Sequence, residues 1–169
     1  MSADLIGNIA NISLALSLLV GLVFGVSQAR AAARDRRERF TLETLSFIAA
    51  RDFAELIQFV DTHEMPKSRA DLRALPVHEQ TMFIQFSMIM ENLGILVAEK
   101  MVDLDLVDET LGSFVVTTWA KFRPIAVSSR QEDNEPFMSE YFQWLAETTD
   151  ARFKANPRPP AYERLPRHR

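Results

Sequence analysis

The acidic stretch 103–109 holds the side chains whose types and spacing come closest to a metal site. Oxygen ligands from Asp103, Asp105, Asp108 and Glu109 would suit Ca²⁺, but the stretch lacks the glycine and the ligand spacing of an EF-hand loop. Asp103 and Asp105 lie between two helical patterns, where an aspartate typically caps the start of a helix. Capping is therefore the favoured interpretation, and we predict no metal and no other cofactor.

The three histidines, His63, His78 and His168, are too scattered for the ligand spacing of a zinc site. His63 adjoins Glu64 and His78 adjoins Glu79, but such neighbours are more often solvated polar pairs than acid–base couples. The sequence contains no Gly-rich phosphate loop, no GxSxG motif and no HExxH motif. Catalysis needs a nucleophile beside a base, and the sequence proposes none. We expect the protein not to be an enzyme, with a small enzyme built from loop residues as an open alternative.

The first structural element is the uncharged and mostly apolar segment 5–27. At roughly 1.5 Å rise per residue a helix over this segment covers about 34 Å, enough to cross a bilayer core of about 30 Å. No Lys or Arg precedes it, whereas a secretory signal peptide begins with basic residues. A weak cleavage motif at residues 27–29 nevertheless keeps a signal peptide as an alternative. We predict a short N-terminus and a transmembrane helix within residues 1–29.

Small residues recur at every fourth position of this segment, and the opposite face carries large aliphatic side chains that suit lipid. Helices in a membrane associate through close backbone approach and interhelical hydrogen bonds, which small and polar residues allow. We predict that this face contacts another membrane helix, from a second copy or from another subunit. The predicted contact residues are Asn11, Ser13, Ser17, Gly21 and Gly25.

Five arginines follow the apolar segment within residues 30–39, and we call them the arginine collar. They are Arg30, Arg34, Arg36, Arg37 and Arg39. Because Lys and Arg near a membrane span stay on the cytoplasmic side, the N-terminus should lie outside and the C-terminal domain in the cytoplasm. The collar should contact the anionic headgroups of the bilayer. It lacks interleaved aromatic residues, so we expect no nucleic-acid partner.

Helical periodicity continues through residues 40–155 and predicts one small helical bundle in an all-α chain. Residues 40–151 carry eight basic and nineteen acidic residues, a net charge of −11, and the chain has no cysteine. The predicted bundle begins with a helical segment at 40–48 that continues or follows the first helix. Further helices, a loop with two prolines, a polar loop and a last helix come after it. The further helices are predicted at 52–60, 77–100 and 107–124, the polar loop at 128–136 and the last helix at 137–153. The predicted core includes Phe83, Phe86, Met90, Leu93, Phe114 and Trp119.

Proline and arginine dominate the tail, residues 156–169, which composition predicts to be disordered or extended. The sequence Pro159-Pro160-Ala161-Tyr162 weakly matches a ligand of WW domains. An ordinary basic tail is the favoured interpretation.

Four short stretches carry a resemblance to a known family: residues 91–97 (ENLGILV), 102–107 (VDLDLV), 119–125 (WAKFRPI) and 141–145 (YFQWL). Their order resembles the bacterial domain-of-unknown-function family 4760, over nearly the whole chain except the basic tail. The resemblance implies a bacterial cytoplasmic (inner) membrane setting, a single membrane helix and a small helical bundle, and it implies no catalytic residue.

These patterns favour a membrane-anchored helical interaction protein, either an accessory subunit or a self-associating scaffold of a bacterial membrane complex. A signalling or defence component whose bundle senses a ligand is the alternative from a different class.

Overall fold

The computed structural model describes residues 3–132, 134–157 and 159–164, with side chains for these residues except 3–12, 15 and 161. Within these ranges the chain is helical and has no strand, which confirms the predicted all-α class. The helices are α1 (Ala3–Ile48), α2 (Arg51–Thr62), α3 (Arg69–Ala74), α4 (Val77–Ala98), α5 (Leu104–Thr110), α6 (Gly112–Glu132), α7 (Glu140–Ala155) and α8 (Ala161–Arg164).

The first helix, α1, is one uninterrupted element of 46 residues, about 69 Å long at 1.5 Å rise per residue. It includes the apolar segment, the arginine collar and residues 40–48, so the helical segment predicted at 40–48 is confirmed and continues the first helix. Only its C-terminal part is packed: Thr44 is buried, and Phe40 and Ile48 are half-buried against the bundle core. The N-terminal part therefore projects from the bundle as a single rod.

The bundle core is built around α4, whose inner face packs on α2 and α7. Phe86 is fully buried and meets the rings of Phe114, Phe122 and Phe142 edge-on, with centroids 5.8 to 6.2 Å apart. Of the predicted core residues, Phe83, Phe86, Met90, Leu93 and Trp119 are buried, as expected. Phe114 is only half-buried, because its ring packs against the core without entering it. Each fully buried side chain of this size contributes roughly 1.5–3 kcal/mol.

Side-chain caps start two of the short helices. The Asp103 carboxylate accepts a hydrogen bond from the Asp105 backbone N–H at 2.9 Å, which confirms its predicted capping role. At α3, the Ser68 hydroxyl accepts from the Asp71 N–H at 3.1 Å, and the Asp71 carboxylate accepts from the Lys67 N–H at 3.2 Å. Such caps satisfy N–H groups that have no partner inside the helix.

Two predicted loops are wrong in extent. The loop between Pro66 and Pro76 contains α3, whose capping pattern overrides the breaking effect of the flanking prolines. The loop predicted at 128–136 begins later, because α6 continues through Pro124 to Glu132. Beyond that proline, Ile125, Ala126 and Ser129 keep a buried face. Tertiary packing therefore maintains the helix despite the lost backbone hydrogen bond.

The C-terminal predictions also need correction. The last bundle helix starts at Glu140 and not at Phe137, because Phe137 lies 72% exposed in a turn. Ser139, the N-cap of this helix, has a φ of +54°, which is in the left-handed region, and it is the last residue of the turn. The tail is not extended throughout: Ala161–Arg164 forms one helical turn, and Arg164 pairs with Glu109 on α5 at 3.4 Å.

Candidate functional site

Two described helices are long and apolar enough to span a membrane. One is the part of α1 from Leu16 to Ile48, and its most apolar window is 0% buried. The other is α4, one third of whose window is buried because α4 is the central helix of the bundle. Large side chains on α1, such as Leu18 at 76% and Val23 at 67% exposed, have no packing partner in the described chain. An unpacked apolar rod of this length marks a surface that must be covered by something else.

The row of small residues lies on open surface. A Cβ atom added at Gly21 or Gly25 would meet nothing within 4 Å, and Ser13 and Ser17 are exposed. The helix places these four residues on one row along α1, as the spacing predicts. The side chain of Asn11 lies outside the described residues. The contact of this row with another helix stays a prediction.

The arginine collar is exposed on α1, and one of its members reaches the bundle. Arg37 donates a hydrogen bond from Nε to the Lys100 backbone carbonyl at 3.2 Å. Lys100 follows the C-terminus of α4 with φ +58°, and its N–H bonds back to the Val97 carbonyl at 3.0 Å. Arg37 therefore satisfies a carbonyl beyond the end of α4 and ties the bundle to α1.

A basic cleft of about 530 Å³ opens where the collar meets the turn after α4, and we call it the basic notch. Its charged lining residues are Arg34, Arg36, Arg37, Glu99 and Lys100, and three alanines of α1 and Met101 complete it. The sequence pattern indicated the three arginines as membrane-surface residues but did not indicate Lys100. No local signal could have placed it here, because Lys100 is 63 residues away from Arg37 along the chain.

An apolar cleft of about 320 Å³ lies further along α1, between α1, α2 and α4. Phe40, Phe47, Ile48, Ile89 and Leu96 are among the side chains that line it. Its polar lining is limited to Glu43, Thr44 and Asn92. A cleft with this lining suits an apolar group better than a charged substrate.

The acidic stretch that suggested calcium serves to join α5 to α7. Arg152 pairs with Asp105 and with Asp108, the latter at 3.0 Å, and the Thr149 hydroxyl donates to Asp108 at 3.1 Å. The hydrogen bond with Asp105 raises the pKa of Arg152 above its ordinary value, so this guanidinium stays charged. Within the described ranges no group of three His, Asp or Glu side chains is placed to hold a metal ion.

His63 has a structural position at the end of α2. Its ring stacks on Phe59 with centroids 4.1 Å apart, and its Nδ1 lies 2.9 Å from the Phe59 carbonyl oxygen. Both contacts are local to the helix terminus, where a polar side chain satisfies the last carbonyl groups. His78 is exposed in the first turn of α4.

The crossing of α4 and α7 joins two of the stretches that carry the family resemblance. The Glu91 carboxylate accepts hydrogen bonds from the backbone N–H groups of Tyr141 and Phe142, at 3.2 and 2.9 Å. One turn later, Gly94 lies so close to α7 that an added Cβ would be 2.4 Å from the Tyr141 carbonyl oxygen. The residues 91–97 and 141–145 thus form one packing unit, in which Glu91 caps α7 and Gly94 allows the close approach.

The fold is that of an all-helical protein in which a long, unpacked apolar helix leads into a small bundle. The family model described as "Domain of unknown function (DUF4760)" matches residues 15–149, and the chain belongs to this family. The resemblance seen in the sequence is thereby confirmed. No curated protein and no solved structure matches the chain.

Proposed function

We propose that this protein is a membrane-anchored, self-associating helical scaffold with no catalytic activity of its own. The observation that carries the proposal is the unburied apolar surface of α1, continuous in one helix with the arginine collar and the bundle. A water-exposed apolar rod of this length is unstable, and a bilayer would cover it. The collar then sets the orientation, with the bundle in the bacterial cytoplasm and the short N-terminus outside.

The small-residue row on α1 supports self-association within the membrane. Because the row is open at Gly21 and Gly25, the backbone of a neighbouring helix can approach it closely. Close approach allows dispersion contacts and weak Cα–H···O bonds, which drive association where lipid removes the hydrophobic effect.

A second exposed apolar surface, on the bundle, also favours a second copy of the chain as the partner. Four apolar side chains of α4 form a narrow exposed stripe: Val77 (78% exposed), Ile84 (48%), Met88 (59%) and Ile95 (36%). Their spacing of seven, four and seven residues returns them to one helix face. No charged residue lies between Gln80 and Met90. A second copy can therefore approach Ile84 and Met88 without apposing carboxylates. Glu91 lies beside Ile95 on the same side of α4, but its carboxylate accepts hydrogen bonds from α7.

Disulfide crosslinking in membranes tests the proposal, because the chain has no cysteine and any introduced one is unique. Ser17→Cys should give a crosslinked dimer. Adding Gly21→Ile should abolish that dimer, because the new side chain separates the helices. Adding Leu19→Ile, which changes shape but not bulk on the opposite face, should leave it intact. Equal crosslinking in all three proteins would show that the row does not mediate association.

A crosslink from Met88→Cys tests the bundle surface separately. A dimer formed through this residue in the parent background supports a second copy on the stripe. A crosslink to a different protein would assign the stripe to another subunit and make the chain an accessory protein instead of a scaffold.

The second candidate function is a signalling or defence component whose bundle senses a small apolar ligand, and the apolar cleft favours it. Ligand binding there would fix the angle between α1 and α4. Ile89→Trp would fill the cleft. Compounds that raise the thermal midpoint of the parent protein but not of Ile89→Trp would support this function, and a screen in which none discriminates would contradict it.

A further inference from the structure

We infer that the basic notch is a binding site for the phosphate of an anionic phospholipid headgroup. This inference rests on the proposed membrane anchorage of α1 and adds to it a defined site, shared between α1 and the bundle. The arginine collar alone would give only a diffuse attraction to an acidic leaflet.

The charge and shape of the notch carry the inference. Four cationic side chains and one carboxylate line it, a net charge of +3. Three alanines, Ala29, Ala32 and Ala33, form the α1 side of the cleft between the arginines and leave it open. Guanidinium groups bind phosphate oxygens through paired N–H donors, and an ammonium adds a point charge. The notch thus presents both kinds of phosphate ligand around an open volume.

The cations of the notch are available for a ligand. Arg34, Arg36 and the Lys100 ammonium make no hydrogen bond or ion pair with any residue in the described ranges. Arg37 uses Nε for the Lys100 carbonyl, which leaves its terminal N–H groups as donors. Four cations with only one carboxylate among them repel one another, and a bound anion reduces that repulsion.

The position of the notch along α1 brings it within reach of the lipid headgroups. The run of exposed large apolar residues from Leu14 ends at Val26, and Arg34 is eight residues further on, about 12 Å along the helix axis. The headgroup layer extends roughly 5–8 Å beyond the hydrocarbon core. Arginine and lysine side chains extend back toward the interface along their apolar stems. Arg34 can therefore reach a lipid phosphate, and Lys100 lines the same cleft.

The site differs from a simple collar in one way that an experiment detects: Lys100 belongs to it and Arg39 does not. Arg39 is a collar residue that does not line the notch. Both substitutions, Lys100→Gln and Arg39→Gln, remove one exposed positive charge. Lys100→Gln keeps the backbone carbonyl that accepts from Arg37, so the junction of α1 with the bundle is preserved. Glu99→Gln removes the only carboxylate lining the notch and should act in the opposite direction.

Thermal unfolding of the full chain in neutral detergent micelles provides the test, with cardiolipin, phosphatidylglycerol or phosphatidylcholine added. Cardiolipin and phosphatidylglycerol should raise the unfolding midpoint, and phosphatidylcholine should not. The apparent affinity for cardiolipin should fall about five-fold in Lys100→Gln, as expected for one basic group at a lipid surface. It should fall less in Arg39→Gln, which removes only diffuse attraction by the collar, and it should be higher in Glu99→Gln.

Three outcomes would overturn the inference. Equal losses for Lys100→Gln and Arg39→Gln would mean diffuse attraction by the collar. An equal stabilisation by inorganic phosphate without lipid would assign the notch to a soluble anion. No stabilisation by any anionic lipid would mean that the notch binds none. If alkaline pH extracts the chain from membranes, the membrane anchor is contradicted. That result is distinct from the three above, which concern only the notch.

Discussion

Replacing Gly94 by alanine should destabilise the bundle, although alanine is the better helix former. The new Cβ would lie 2.4 Å from the carbonyl oxygen and 2.6 Å from the carbonyl carbon of Tyr141. Both atoms belong to the α7 backbone, so no side-chain rotation relieves the clash. Ordinary contacts begin near 3.4 Å, so α4 and α7 must separate locally by about 1 Å.

The magnitude follows from three opposing effects. Overpacking of a core contact costs typically 1–3 kcal/mol, occasionally more. Separation of the helices also lengthens the hydrogen bonds from α7 to Glu91, and loss of a helix cap costs about 1 kcal/mol. The higher helix propensity of alanine offsets about 1 kcal/mol of this destabilisation. The net destabilisation should be about 1–3 kcal/mol, a decrease in the thermal midpoint of roughly 4–12 °C for a bundle of this size.

Tryptophan fluorescence during thermal unfolding of the full chain in neutral detergent measures this effect. Both tryptophans, Trp119 and Trp144, lie in the bundle, and Trp119 packs on the ring of Phe142 with centroids 5.1 Å apart. The matched control is Gly25→Ala, the same substitution in a helix interior where the added Cβ meets nothing within 4 Å. It should not lower the midpoint, because no clash opposes the higher helix propensity of alanine there. A midpoint for Gly94→Ala at or above that of the parent would refute the close crossing of α4 and α7.

Three further predictions concern the cap, the core and the orientation. Glu91→Gln should lower the free energy of unfolding by about 1–2 kcal/mol, because an amide offers one acceptor oxygen to two backbone N–H groups; Glu64→Gln, on a side chain that is 89% exposed, should not change it. Phe86→Ala should cost about 3–5 kcal/mol in urea unfolding, since its ring is fully buried; a cost below 1 kcal/mol would contradict its central position. A reporter fused after Arg169 should be active only in the cytoplasm, and periplasmic activity would reverse the orientation inferred from the arginine collar.

Local patterns were sufficient to predict the longer helices and much of the core, but not α3 or α8, because periodic burial and capping are encoded within one or two helical turns. Phe83, Phe86, Met90 and Leu93 are buried as their spacing on α4 predicts. One error arose where tertiary packing overrides a local signal. Pro124 normally breaks a helix, but the buried face that follows it keeps α6 intact.

The junction between α1 and the bundle could be predicted only in part. The arginines of the collar were identified from their sequence alone, but their meeting with Lys100 depends on a contact across 63 residues. The cap of α7 by Glu91 similarly spans 50 and 51 residues. Such contacts depend on how the helices pack in three dimensions, and neither composition nor periodicity records that arrangement.

Cysteine labelling of α1 in membranes tests the membrane anchor most directly. Leu18→Cys places a thiol in the middle of the exposed apolar surface, where the parent side chain is 76% exposed. Lys67→Cys places one on the bundle, at a side chain that is 74% exposed. In open membrane fragments a membrane-impermeant maleimide should label the bundle cysteine, and it should label the α1 cysteine only after detergent is added. Equal labelling of the two positions without detergent would show that α1 lies in water and would contradict the membrane anchor.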